Sequence, residues 1–295
     1  MSLSSLEIID TSLSANGISL SHIAFKPRVS TLRAYLGSGQ YNGVWPSVRH
    51  LEIGSIDTRS VTPVQLPSCP CIYSLVLKLA VGQTAYPNVM YNTLRVLTLA
   101  SRDLSAHDAD QLIVNTVLPR LQHLILRNET RRRTFLQWDS AIQDLVNRSG
   151  CLITKLTLDC LNTIPSCYIA IFKSLPALTM VTLNESPPPP GYGPLDYGPL
   201  FRQLRLTAPE DTFCDRNNVL TKMTDLHLTL PALFAGLDAF YHMIESRLHV
   251  KGYHTLLGYQ RLRLLLVQFI GNDDGLVLKD KLRKLVEGTA LTLKM

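Results

Sequence analysis

His107, Asp108 and Asp110, in the run His-Asp-Ala-Asp, are the densest set of side chains in this sequence that could move a proton. An imidazole beside two carboxylates is raw material for general acid–base catalysis. The spacing favours a simpler role. Apolar periodicity over 106–118 predicts a helix that stops at Pro119, and carboxylates in a first helical turn stabilise the positive end of the dipole. Other catalytic signatures are missing from the sequence: there is no Gly-x-Ser-x-Gly elbow, no phosphate-binding Gly-x-x-x-x-Gly-Lys-Ser/Thr loop, no Gly-x-Gly-x-x-Gly after a strand and no His-x-x-x-His. The expectation is a chain that is not an enzyme, with no catalytic residues, no metal ligands and no cofactor.

Six cysteines in 295 residues are too few for a disulfide scaffold. Cys69-Pro-Cys71 is the close pair, and no second pair or nearby His completes a zinc site. Thiols in a reducing compartment are expected. Asn128-Glu-Thr130, Asn147-Arg-Ser149 and Asn184-Glu-Ser186 fit the glycosylation acceptor pattern, but no basic segment followed by an apolar one opens the chain as a secretory signal would. The expected location is cytoplasmic or nuclear. The apolar run Leu264–Ile270 is broken by Gln268 and far short of the ~20 residues a bilayer requires, so no membrane partner is expected.

The net charge is +6, which suits an acidic partner or nucleic acid. Arg131-Arg-Arg133 is the dense basic run, and it lacks interleaved aromatics on which bases would stack. Nucleic acid therefore ranks behind protein as a partner. A nucleic-acid-associated basic repeat protein stands as the alternative, and a truncated remnant without a dedicated partner as a third reading.

What must position any functional residue is a stencil, apolar-x-x-apolar-x-apolar, that returns throughout. It appears as Leu3 to Ile8, Leu20 to Phe25, Val48 to Ile53, Ile72 to Leu77, Leu94 to Leu99 and Leu121 to Leu126. It continues as Ile153 to Leu158, Leu178 to Leu183, Phe201 to Leu206 and Met223 to Leu228, with looser copies at Leu262 to Val267 and Gly288 to Leu293. Repeats about every 26 residues lie inside the range of roughly 20–29 typical of leucine-rich repeats. The last two apolar positions are alternate strand residues and face one way, into a core.

Parallel strands need crossovers, and helical periodicity supplies them at 106–118, 135–148, 164–175, 231–248 and 276–286. Gly150 suits the cap after the second, and Pro165 and Pro176 bracket the third. The fold expected is α/β: a leucine-rich-repeat solenoid, a ribonuclease-inhibitor-like horseshoe with a parallel sheet on its concave face and helices on its convex face. Residues 1–295 read as one irregular solenoid of about 12 units, with loop insertions at 37–46 and at the Pro-rich 187–199. Stencils begin at Leu3 and finish at Leu293 with no amphipathic cap outside either, so the expectation is a fragment, a truncated gene product or a protein whose ends are covered by something else.

One stretch carries a family likeness. Arg148-Ser-Gly-Cys151 through Leu158, followed by Leu175-Pro-Ala-Leu178 through Glu185, resembles the repeat core of fungal F-box and leucine-rich-repeat proteins, as does the closing Leu278 to Leu293. The resemblance implies a substrate receptor of a ubiquitin ligase, docked through its F-box to an adaptor. Residues 1–50 lack an F-box and carry repeat stencils instead, so the ligase link rests on the likeness alone.

Strand positions between the core residues point away from the core. Those singled out for protein binding on the concave face are His123, Arg127, Lys155, Thr157, Asp159, Asn184, Gln203, Arg205, Asp225 and His227, with His50, Glu52 and Thr182 on the same pattern. They form a mixed, hydrogen-bonding surface, and Arg127, Lys155, Asp159 and Arg205 are its expected anchors.

Overall fold

The structure, a computed structural model, describes residues 5–10, 29–36, 44–54, 68–79, 89–101, 116–129, 139–161, 163–187, 196–207, 219–231, 236–250, 255, 258–270, 276–287, 289 and 291–294. Its contacts gather into two compact units, Met1–Thr130 with Leu136–Ile153 and Arg131–Phe135 with Thr154–Met295. Each is α/β and built on parallel strands.

In the first unit β1 (Ser5–Asp10), β2 (Thr31–Leu36), β3 (His50–Gly54) and β4 (Ser74–Leu79) pair in succession. A short pair, β5 (Val89–Met90) with β7 (Thr116–Val117), stands apart, and β6 (Val96–Ser101) and β8 (His123–Asn128) complete the main ladder. Leu6, Leu32, Leu51, Leu75, Leu97 and Leu124 fall in one register row, and Ile8, Ala34, Ile53, Leu77, Leu99 and Leu126 in the next. From β2 onward every member of both rows is buried. Burying a leucine stabilises by about 1.5–3 kcal/mol, so the rows fix the register of each strand on its neighbour.

A turn precedes each of four strands. In Trp45-Pro46-Ser47-Val48, Cys69-Pro70-Cys71-Ile72, Tyr91-Asn92-Thr93-Leu94 and Leu118-Pro119-Arg120-Leu121, the fourth N–H donates to the first carbonyl at 3.1–3.4 Å. Proline at the second position of three of them presets the φ such a turn requires. The next two N–H groups then converge on one carbonyl of the preceding strand's lead-in. Arg49 and His50 donate to Ser30, Tyr73 and Ser74 to Arg49, Arg95 and Val96 to Tyr73, and Gln122 and His123 to Arg95. The Cys69-Pro70-Cys71 pair is thus one copy of the turn, with Cys69 buried beneath it and Cys71 exposed. Burial pushes the Cys69 thiol up to about 12.

The second unit repeats this with β9 (Lys155–Asp159), β10 (Met180–Asn184), β11 (Asp225–Pro231), β12 (Leu264–Ile270) and β13 (Thr292–Lys294). Leu156, Val181, Leu226, Leu265 and Leu293 share one row, and Leu158, Leu183, Leu228 and Val267 the next. The carbonyls of Thr154, Thr179 and Thr224 each accept two successive N–H groups, as in the first unit.

Helix α1 (Asp139–Ser149) belongs to the first unit. Gly150 follows it at φ +59° as the expected cap, and Ser149 Oγ accepts the Leu118 N–H at 3.0 Å. The second unit carries α2 (Pro165–Lys173), α3 (Gly198–Leu204), α4 (Leu237–Leu248) and α5 (Leu276–Val286).

Four sequence expectations are corrected. The strand beside β1 is β2, centred on Leu32; its second inward residue is Ala34, too small to register as part of the stencil, while Leu20 to Phe25 lies outside the described residues. Thr116–Val117 is strand rather than the end of a helix, and residues 106–115 lie outside the described residues. The last strand is centred on Leu293, paired with Leu265, and not on Leu291. Phe201 to Leu206 is no strand: residues 198–204 are α3, so the Pro-rich segment 187–199 ends in a helix. Apolar residues three apart also fit one helical turn, and Pro199 stands in the first turn, where its missing N–H costs nothing. Phe201 then packs on Phe240 of α4, ring centroids 4.9 Å apart. Gly236, at φ +103°, opens α4 so close to Gly198 that a Cβ there would lie 2.4 Å from the Gly198 nitrogen.

Arg247 of α4 is fully buried and ties three segments together. Its Nε donates to the Leu204 carbonyl at 2.7 Å, Nη1 to Leu220 at 2.9 Å and Nη2 to Val219 at 2.8 Å. Leu220 sits in the left-handed region at φ +57°, a conformation that crowds the Cβ of any residue but glycine. Burial draws the guanidinium down to about 9, which leaves it charged at neutral pH. Arg247→Met should lower the unfolding free energy by about 3–5 kcal/mol, because three buried carbonyls lose charge-assisted donors. Arg247→Lys, which keeps the charge without the planar fork, should recover only part of that loss. Denaturant titration followed by circular dichroism reads both, and an unmoved midpoint for Arg247→Met refutes the clamp. Iodoacetamide should label Cys71 in the native chain and spare Cys69 until denaturant is added, as peptide mass spectrometry would show.

Candidate partner-binding surface

Each ladder presents a second face, opposite its buried rows. In the first unit this face carries an ion-pair fork. Glu52 on β3 takes Arg33 of β2 on one oxygen, Nε to Oε2 at 3.2 Å, and Lys78 of β4 on the other, Nζ to Oε1 at 2.8 Å. Three strands are thereby linked, although exposed pairs of this kind are worth at most about 1 kcal/mol each. His50 lies edge-on to Tyr73 with centroids 6.1 Å apart. His123 and Arg127 stand on β8, two register positions either side of Ile125, and Arg127 is exposed.

In the second unit, register places Lys155, Met180, Asp225, Leu264 and Thr292 in one outward row. Thr157, Thr182, His227 and Leu266 form the next, and Asp159, Asn184, Thr229 and Gln268 the third. Neighbouring members stand about 4.8 Å apart, the strand spacing. Lys155 is exposed; Thr157, Asp159, Asn184, Asp225 and His227 are half-buried. Asp225 Oδ2 accepts the Thr224 hydroxyl at 2.7 Å. His227 Nε2 is buried with no hydrogen-bond partner among the described residues.

Two of the sequence-derived residues do not belong to this surface. Gln203 lies on α3 and Arg205 is the residue that caps it, so neither is a strand position. His123 and Arg127 fall in the first unit, and Lys155, Thr157, Asp159, Asn184, Asp225 and His227 in the second. Sequence reading missed Arg33 and Lys78. Arg33 was hidden with β2, whose Val29-x-x-Leu32-x-Ala34 fits the stencil once alanine is admitted; Lys78 stands one residue beyond its stencil's end. His107, Asp108, Asp110 and Arg131 to Arg133 lie outside the described residues. Among the described residues no group of three or more His, Cys, Asp and Glu side chains could hold a metal ion, and no helix is long and apolar enough to cross a membrane.

No protein-family model matches the chain, and no curated protein matches it.

Behind the second ladder, Tyr168 of α2 is fully buried and donates its hydroxyl to Glu185 Oε1, just past β10. The Thr163 N–H donates to the same phenolic oxygen at 3.4 Å, and the Glu185 N–H to the Thr229 carbonyl at 2.8 Å. This chain of bonds seats α2 on the strands. Burial, with the Glu185 carboxylate next in weight, pushes the Tyr168 phenol well above its ordinary value of 10.0. A phenol raised on folding contributes stability that is present below about pH 10 and lost as pH climbs beyond it. Unfolding midpoints should therefore fall above pH 10. Tyr168→Phe should flatten that slope while costing about 1–3 kcal/mol at neutral pH; an unaltered slope would assign the alkaline loss to other groups.

Proposed function

We propose that the chain is a non-catalytic scaffold for protein recognition, a leucine-rich-repeat solenoid curved into a horseshoe whose concave strands carry the contact residues. The observation that carries the reading is the set of outward register rows, which display side chains of mixed charge and hydrogen-bonding type at fixed intervals on rigid strands. The recurring turn, the paired N–H groups on one carbonyl and the leucine rows support the repeat reading. Solenoids use such extended surfaces to hold macromolecules. The resemblance to F-box repeat proteins adds the proposal that the partner is a ubiquitin-ligase substrate.

Lys155, Asp159 and Arg127 remain the anchors; Arg205 passes to the role of control. Capture of a stoichiometric protein from native cytosol by the tagged chain is the expected result. Reversing Lys155 and Asp159 together (Lys155→Glu with Asp159→Lys) should weaken that capture about tenfold or more, as contact charges do, while Arg205→Glu leaves it unchanged. Capture indifferent to the double reversal would refute the surface. Recovery of the Skp adaptor or a cullin would support the ligase proposal, and a partner recovered without either would remove it.

A further inference from the structure

A cleft of about 560 Å³ opens between α2 and α3, lined by Ser166, Ile169 and Lys173 on one helix and by Pro199, Arg202 and Gln203 on the other. The α2 residues stand three and four apart, and Arg202 and Gln203 stand three and four positions after Pro199, so each helix turns one side to the cleft. The size lies within the roughly 300–1,000 Å³ typical of sites that enclose a short ligand. None of these residues is on a strand, so the cleft is distinct from the surface proposed above and stands or falls without it.

The charged side chains that line it are both cations, with the Asp196 carboxylate flanking Gly198 alongside Arg202. Lys173 and Arg202 are exposed cations, and neither side chain makes an ion pair or hydrogen bond with a described residue. Gln203 Oε1 is buried and accepts no hydrogen bond among the described residues. A buried acceptor left without a donor is unfavourable, and a ligand that supplies an N–H removes that cost. A free carboxylate, which only accepts, would meet the cations and leave Gln203 unmet. An extended peptide with acidic side chains meets both, because it offers a backbone N–H at every residue. The Ile169 side chain gives it an apolar contact.

We propose that the α2–α3 cleft binds an acidic, extended peptide segment of a protein partner. Its carboxylates lie against Lys173 and Arg202, and one of its backbone N–H groups donates to Gln203 Oε1. The excess of basic residues in the chain, +6 overall, favours the encounter.

The test titrates fluorescein-labelled oligo-glutamate against the full chain at low salt, reading fluorescence anisotropy, with oligo-lysine as control and tripolyphosphate as competitor. Saturable binding of oligo-glutamate, and none of oligo-lysine, is expected. Lys173→Glu and Arg202→Glu should each weaken it about fivefold. Gln203→Leu should weaken the peptide and leave tripolyphosphate binding unchanged. All three side chains line an open cleft, and circular dichroism confirms that the variants are folded. Failure of oligo-glutamate to bind, or binding untouched by both reversals, overturns the proposal. Tripolyphosphate that displaces the peptide with equal effect per charge, together with a silent Gln203→Leu, overturns it in favour of an unspecific anion surface.

Discussion

Both ladders depend on one constraint: parallel strands cannot be joined by a hairpin, so the chain must leave, travel round and re-enter beside its predecessor at the same level. The re-entry level is set locally. A turn, often started by proline, delivers two consecutive N–H groups to a single carbonyl of the preceding lead-in, and the strand begins there. A slip of one residue would turn every leucine of that strand outward. Hydrogen-bond geometry and apolar burial thus specify the same register, and that agreement makes the outward rows predictable too.

The two faces of each strand are coupled through this registration. Leu156 and Leu158 are buried while Lys155, Thr157 and Asp159 face the other way, so the positions offered to a partner are inherited from the core. The helices of the second unit are held by different means: α2 by Tyr168 and Glu185, α4 by the Arg247 guanidinium on three carbonyls. These are polar attachments inside an apolar interior, where directional bonds select one packing among several that burial alone would allow.

The strands were legible in the sequence wherever both inward residues were large. Val48 to Ile53, Ile72 to Leu77 and Leu121 to Leu126 are cases in which period-two burial leaves an unmistakable trace. β2 was not legible, because Ala34 fills its place without looking apolar enough to mark it. The opposite error occurred at Phe201 to Leu206, where a three-residue spacing serves a helix as well as a lead-in to a strand; Pro199 was the available signal, since it favours a helical first turn. That misreading put Gln203 and Arg205 on the wrong element and concealed the α2–α3 cleft. Nothing in the sequence pointed to Arg247, because an arginine on an amphipathic helix reads as solvated until its three acceptors are brought together by the fold.

β10 pairs directly with β11 although a helix and a long connecting stretch separate them in the chain. The ladder is therefore indifferent to contour length between its rungs, as closure entropy grows only by about 0.6 kcal/mol for each doubling of a flexible loop. For the gene this divides the sequence into two regimes. Between rungs, added residues cost little in chain closure, and each insertion is a chance to build something new, such as a helix that faces another. Within the few residues from turn to strand, a single-codon insertion displaces an entire row.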